Sequence, residues 1–181
     1  MIDIAKYRIL GSHKSQLRKT SKDDNNKNNV SFMTESKLDV INFDAVVKDY
    51  AREHKLNSIP TSNDALYISD DGRILFIEFK NGVIDKETRY NIKEKIFDSI
   101  FILTDILEKN ISYTRENVEY ILVYNEEKNS KNFIANHICQ KANTHFIEKG
   151  LERFKEYCFK DVYTYTKEEF ESNFVKKYEQ K

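Results

Sequence analysis

Residues 73–80, RILFIEFK, restrict the fold of this chain more than any other segment. Side chains alternate across a strand, so Leu75, Ile77 and Phe79 take one face while Ile74, Phe76, Glu78 and Lys80 take the other. A strand that is large and apolar on both faces belongs at the centre of a sheet, covered on both sides. The turn signal Asp70-Asp71-Gly72 and the preceding run DALYIS make it the second arm of a β-hairpin. Glu78 and Lys80 nevertheless leave this strand on one face, about 7 Å apart. An isolated ion in such a place costs several kcal/mol unless it is paired, solvated or bound to metal. Asp64 begins the first arm, and a hairpin turning at 70–72 returns it to the end where Glu78 lies. Two carboxylates and an ammonium are therefore expected to converge. The competing structural account is a Glu78–Lys80 pair at the sheet's end, with Asp64 as a turn residue.

The remaining elements follow from periodicity. A helix is expected over 38–55, where Phe43, Val46, Val47, Tyr50 and His54 form one stripe, with Ser36 or Asp39 as its cap. A long helix is expected over 85–109, with Ile92, Ile96, Ile100, Leu103 and Leu107 in line and Phe97 widening the stripe. VEYILVY (118–124) reads as a buried strand. Residues 131–157 read as one or two helices, with Phe146, Ile147, Leu151 and Phe154 inward. DVYTYT (161–166) is a short strand, and Thr166 with Glu169 makes a capping box for a last helix carrying Phe170, Phe174 and Tyr178. The order α-β-β-α-β-α-β-α predicts an α/β chain: a central mixed sheet flanked by helices.

Composition excludes several classes. The chain has 181 residues, enough for one domain. Thirty basic side chains balance thirty acidic ones, and 12 Phe and 11 Tyr supply core-forming surface, which argues against disorder. Four Gly and one Pro exclude collagen-like, linker-like and turn-dense small β architectures. Apolar runs are too short for a membrane span, and MIDIAKYRIL lacks a signal peptide's apolar stretch, so a cytoplasmic chain is expected. Cys139 and Cys158 lack CxxC spacing and are expected to be reduced. The four histidines show no zinc spacing, and there is no P-loop, dinucleotide fingerprint or nucleophile elbow. Residues 1–22 carry six basic side chains against Asp3 alone, and 20–30 (TSKDDNNKNNV) are polar and aperiodic. The expected organisation is a basic N-terminal arm and flexible linker over 1–30, followed by a single domain over 31–181. The arm could contact phosphates, or simply be a solvated terminal strand or helix. Arg89, Lys93 and Lys95 could line a phosphate groove or a solvated helix face.

The chemistry that suits an Asp/Glu/Lys cluster is phosphodiester hydrolysis. Two carboxylates hold a hard divalent cation by oxygen, and a lysine neutralises charge developing on phosphorus. Asp64 followed by Glu78-Phe79-Lys80, between one helix and another, resembles the PD-(D/E)XK or restriction endonuclease-like nuclease superfamily over roughly residues 38–124. Asn63 stands where that pattern carries proline. The resemblance implies a restriction endonuclease-like core and cleavage of DNA, less often RNA, with Mg²⁺ or Mn²⁺. It implies Asp64 and Glu78 as metal ligands, Lys80 as the catalytic lysine, and an acid from the first helix, for which Glu53 beside the apolar stripe is the candidate. A protein partner or a homodimer is compatible with it. The alternative is a catalytically idle protein of the same fold that binds other proteins, such as an immunity or inhibitor protein. A third reading is a nucleic-acid binder without catalysis that uses the basic arm.

Overall fold

In the computed structural model, residues 4–23 and 30–179 are described. Residues 24–29 of the expected linker lie outside them. Six strands form one sheet in sequential order: β1 Lys14–Gln16, β2 Asp39–Asn42, β3 Ala65–Ile68, β4 Ile74–Lys80, β5 Val118–Tyr124 and β6 Asp161–Thr166. The pairs β1–β2, β2–β3 and β3–β4 are antiparallel, while β4–β5 and β5–β6 are parallel. The sheet is therefore mixed, and β4 is the strand at which its direction pattern changes. Besides two single turns at Arg8–Gly11 and Leu17–Thr20, the helices are α1 Phe43–Glu53, α2 Lys86–Ile106, α3 Ile111–Asn117 and α4 Ser130–Lys141. A C-terminal helical segment, α5, runs over Lys167–Phe170, passes through a π turn at Glu171–Val175 and ends with Lys176–Glu179.

The alternation read for residues 74–80 divides the core into two layers. Ile74 and Phe76 join Tyr120, Leu122 and Tyr124 under α1 and α2. Leu75, Ile77 and Phe79 join Ile121 and Val123 under α5. Parallel strands need this cover on both faces, and their near-continuous apolar sequences reflect it. The hairpin register sets Ala65 opposite Ile77 and Ile68 opposite Ile74. Gly72 closes the turn with φ of 88°, a conformation that glycine adopts without steric cost.

Three expectations are corrected. The helix expected over 38–55 begins only at Phe43, because 39–42 are strand β2. Val40 and Ile41 are both buried, one in each core layer, which a helix turn could not achieve. Asn42, rather than Ser36 or Asp39, caps the helix: its side chain accepts from the Ala45 N–H at 3.1 Å. In 131–157 the helix ends at Lys141. Asn143 and Gly150 have positive φ, and the buried Leu151 and Phe154 are presented by a 3-10 turn and its approach. The short α3 between α2 and β5 falls where no helix was expected.

The basic N-terminal residues enter the fold. β1 pairs with β2 at the sheet's edge, and Leu10 and Leu17 are fully buried. Lys22–Asp23 and Ser31–Phe32 pair as a separate two-strand ribbon. Among the described residues, no helix is long and apolar enough to cross a membrane. Both cysteines are free thiols.

Candidate functional site

Glu78 sits on β4 facing α1 and α2, with no surface exposed to solvent. Its Oε1 receives two ammonium groups, Lys80 Nζ at 2.6 Å and Lys95 Nζ at 2.7 Å. Lys95 Nζ also reaches Asp64 Oδ1 at 3.3 Å. Continuing the hairpin register by one residue beyond Ala65–Ile77 places Asp64 opposite Glu78. Asp64 is oriented by the backbone: its Oδ2 accepts from the Phe79 N–H at 2.7 Å, leaving Oδ1 turned to the lysine. The expected convergence of Asp64, Glu78 and Lys80 is therefore present, with Lys95 of α2 as a fourth member.

The loop that delivers Asp64 is tied to both covering helices. Asp98 of α2 accepts from the Thr61 backbone N–H at 2.9 Å and from its hydroxyl at 2.8 Å. The Ser62 hydroxyl donates to Asp44 of α1. The Asn63 N–H donates to the buried Ser99 hydroxyl of α2 at 2.8 Å. Ser99 follows Lys95 by one helical turn, so a single face of α2 both positions Asp64 and answers its charge.

Burial dominates the electrostatics. Burial first and the Glu78 charge second raise the Asp64 carboxyl from 3.8 to about 7, against the opposing pull of Lys95 and Lys80. Burial also works against the Lys95 ammonium. Glu78 and Asp64 outweigh it and hold its pKa above the ordinary lysine value, with Asp44 adding in the same direction. Among the described residues, Glu78 Oε2, both polar atoms of the Asn63 amide and the Tyr120 hydroxyl are buried without a hydrogen-bond partner. A buried polar atom left in this state is costly, so a ligand, ion or water that satisfied it would be favoured.

A cleft of about 330 Å³ opens beside the cluster. Asp64 and Lys80 line it, together with Asn81, the start of α2 at Thr88 and Asn91, and Ser21 of the N-terminal segment. Asn81 closes one end by donating to Asp23 at 2.7 Å and Ser31 at 3.2 Å in the two-strand ribbon. A larger hollow of about 760 Å³ between α4 and α5 shares no residue with this cleft.

Other sequence candidates lie apart from the cluster. Glu53 pairs with Arg8 at 2.6 Å, with both side chains largely exposed. Asp49, one turn before Glu53 on α1 and not a candidate from the sequence, is bound by His13 and Arg52. The acid of α1 that acts on the site is Asp44, in its first turn, where an N-terminal carboxylate is also favoured by the helix dipole. Of the three residues of α2 considered for a phosphate groove, Arg89 pairs with Glu148 at 2.7 Å. Lys93 lies beside Gly150. Only Lys95 joins the carboxylates. Its sequence signal was the i, i+4 spacing to Ser99 on a helix covering the Glu78 face, which is visible only once the faces are assigned.

Among the described residues, no group of three or more His, Cys, Asp or Glu side chains comes together to hold a metal ion. The donor set is two hard carboxylate oxygens, Asp64 Oδ1 and Glu78 Oε1, bridged by one ammonium. Mg²⁺ is commonly held by only one or two carboxylates, with water and substrate phosphate oxygens supplying the rest, and this set fits that habit. Comparison with family models, curated proteins and solved structures finds no match.

Proposed function

We propose that this protein is a metal-dependent phosphodiester hydrolase acting on nucleic acid, DNA in preference to RNA, built on a restriction endonuclease-like core. The observation that carries this reading is the convergence of Asp64, Glu78, Lys80 and Lys95 at the end of the central strand, next to an open cleft. A structural role requires no such concentration of charge, because hydrophobic residues of similar volume would stabilise the layer at least as well.

Asp64 Oδ1 and Glu78 Oε1 would hold Mg²⁺ or Mn²⁺. The cation would supply Lewis-acid chemistry at the phosphoryl group. Backbone anchoring of Asp64 Oδ2 through the Phe79 N–H holds the carboxylate, and with it Oδ1, in place without reorganisation. The Lys80 side chain retains 21% of its surface and lines the cleft, so its ammonium can turn from Glu78 towards a phosphate oxygen. Its role is to neutralise charge that builds up in the transition state. Thr88 and Asn91 near the N-terminal end of α2 border the cleft, and Lys22 and Lys80 supply its cationic groups for an anionic substrate, beside Asp23 and Asp64.

The decisive experiment is a titration of Mg²⁺ and of Mn²⁺ against plasmid, linear duplex, single-stranded DNA and RNA substrates. Cleavage that depends on the metal and disappears in Glu78→Gln is expected. Absence of cleavage with every substrate and both ions overturns the proposal. The protein-binding alternative is favoured by one observation. Phe133, Ile134 and Ile138 of α4 are 49%, 58% and 62% exposed, an apolar surface that catalysis does not need.

A further inference from the structure

Lys95 Nζ lies 2.7 Å from Glu78 Oε1 and 3.3 Å from Asp64 Oδ1. These are the two oxygens to which the proposed function assigns a divalent cation. We propose that Lys95 is a built-in competitor for that cation: its ammonium bridges the carboxylates in the metal-free protein and must move aside for metal to enter. The inference rests on the reading of Asp64 and Glu78 as metal ligands.

Three features support a displaceable ammonium. The helix beneath it is held firmly, since Asp98 and Ser99 of α2 bind Thr61 and Asn63, so the backbone can stay still while the side chain moves. The Lys95 side chain retains 21% of its surface, so its head group has a route to water. Asp44 on α1 carries a further carboxylate whose charge favours the Lys95 ammonium. A lysine head on a flexible stem can make such a move more easily than an arginine fork could. Lys80 also contacts Glu78 Oε1, at 2.6 Å, but Lys95 is the ammonium that spans both carboxylates, since it reaches Asp64 Oδ1 as well. Metal affinity is then set by exchange of one cation for another, and the native site binds metal weakly.

Calorimetric titration of Mn²⁺ into the full chain tests this. Lys95→Met removes the competing charge and should bind Mn²⁺ at least about tenfold more tightly than the native protein. Lys95→Gln keeps a polar head and guards against a folding defect in the methionine variant; it should show the same gain. Lys95→Arg keeps the charge and should show none. Lys48→Met, on the exposed face of α1, should leave affinity unchanged. The rise in thermal midpoint on adding Mn²⁺ should follow the same order. If Lys95→Met and Lys95→Gln bind no more tightly than a native protein that does bind and cleave, the competitor role is overturned and the hydrolase reading stands. If only the variants bind, the competitor role holds and the native activity falls. If no form binds, both are overturned.

Discussion

Glu78 would be expected to prefer an amide if it were buried alone, since a lone buried carboxylate carries a large desolvation cost. It is not alone: one of its oxygens accepts from both Lys80 and Lys95. Glu78→Gln should therefore lower stability by about 1–2 kcal/mol, reduced from the loss typical of a broken buried pair because both lysines reach solvent. Urea unfolding checks the stability, and calorimetry should show metal binding lost. Lys80→Ala should retain metal binding and lose cleavage rate, read as a fall in kcat with little change in metal affinity. Asp64 gives a pH signature in metal-free protein. Its folded pKa is raised from 3.8 to about 7, first by burial and then by Glu78. A raised folded pKa contributes stability that is fully present below the unfolded value and is lost as pH rises through the folded one. Stability should thus decline between about pH 4 and pH 7 from this group, and Asp64→Asn should flatten that slope in denaturation curves taken across the range.

At the scale of elements, the site depends on α2 holding a loop. Ser99 is fully buried, and its hydroxyl accepts from the Asn63 N–H at 2.8 Å. Ser99→Ala leaves that N–H unbonded and should cost about 1–3 kcal/mol. Because Asn63 adjoins Asp64, the same change should weaken metal binding, a readout that loss of packing elsewhere would not move. The cap of α1 is a control for stability without chemistry. Asn42→Ala removes the acceptor for the Ala45 N–H and should lower stability by about 1 kcal/mol while metal affinity stays put.

Across the whole molecule, the two core layers are unequal in what covers them. The Glu78 face is roofed by α1 and α2, whereas the opposite face relies on α5. Phe170, Phe174, Val175 and Tyr178 are all buried there, and Phe79 meets Phe170 edge to face at 5.6 Å. Burying a large apolar side chain stabilises by about 1.5–3 kcal/mol, so these four together rival the net stability of a typical domain. Ending the chain at Thr166 should therefore unfold the protein rather than trim it, which circular dichroism and size-exclusion chromatography would show. Arg73, just before β4, ties β5 to α5: it pairs with Glu119 of β5 through two nitrogens and also donates to the Tyr178 hydroxyl of α5.

Alternation in RILFIEFK was enough to place Glu78 and Lys80 on one face and the aliphatic residues on two, because the side-chain period of a strand is fixed by its backbone. The hairpin followed from the turn residues, the long helix from its stripe, and the last helix from its capping box, whose reciprocal bonds between Thr166 and Glu169 are present. All of these are local signals. Residues 39–42 carry no such signal: DVIN extends a helical pattern as easily as it forms a strand, and only pairing with β1 and β3 settles it. The choice of Asp44 over Glu53, and of Lys95 over Arg89 and Lys93, likewise depends on which helix face meets the sheet and on partners far along the chain. Sequence spacing sets which residues share a face. Only tertiary packing decides which face is buried, and with it which charges are forced to meet.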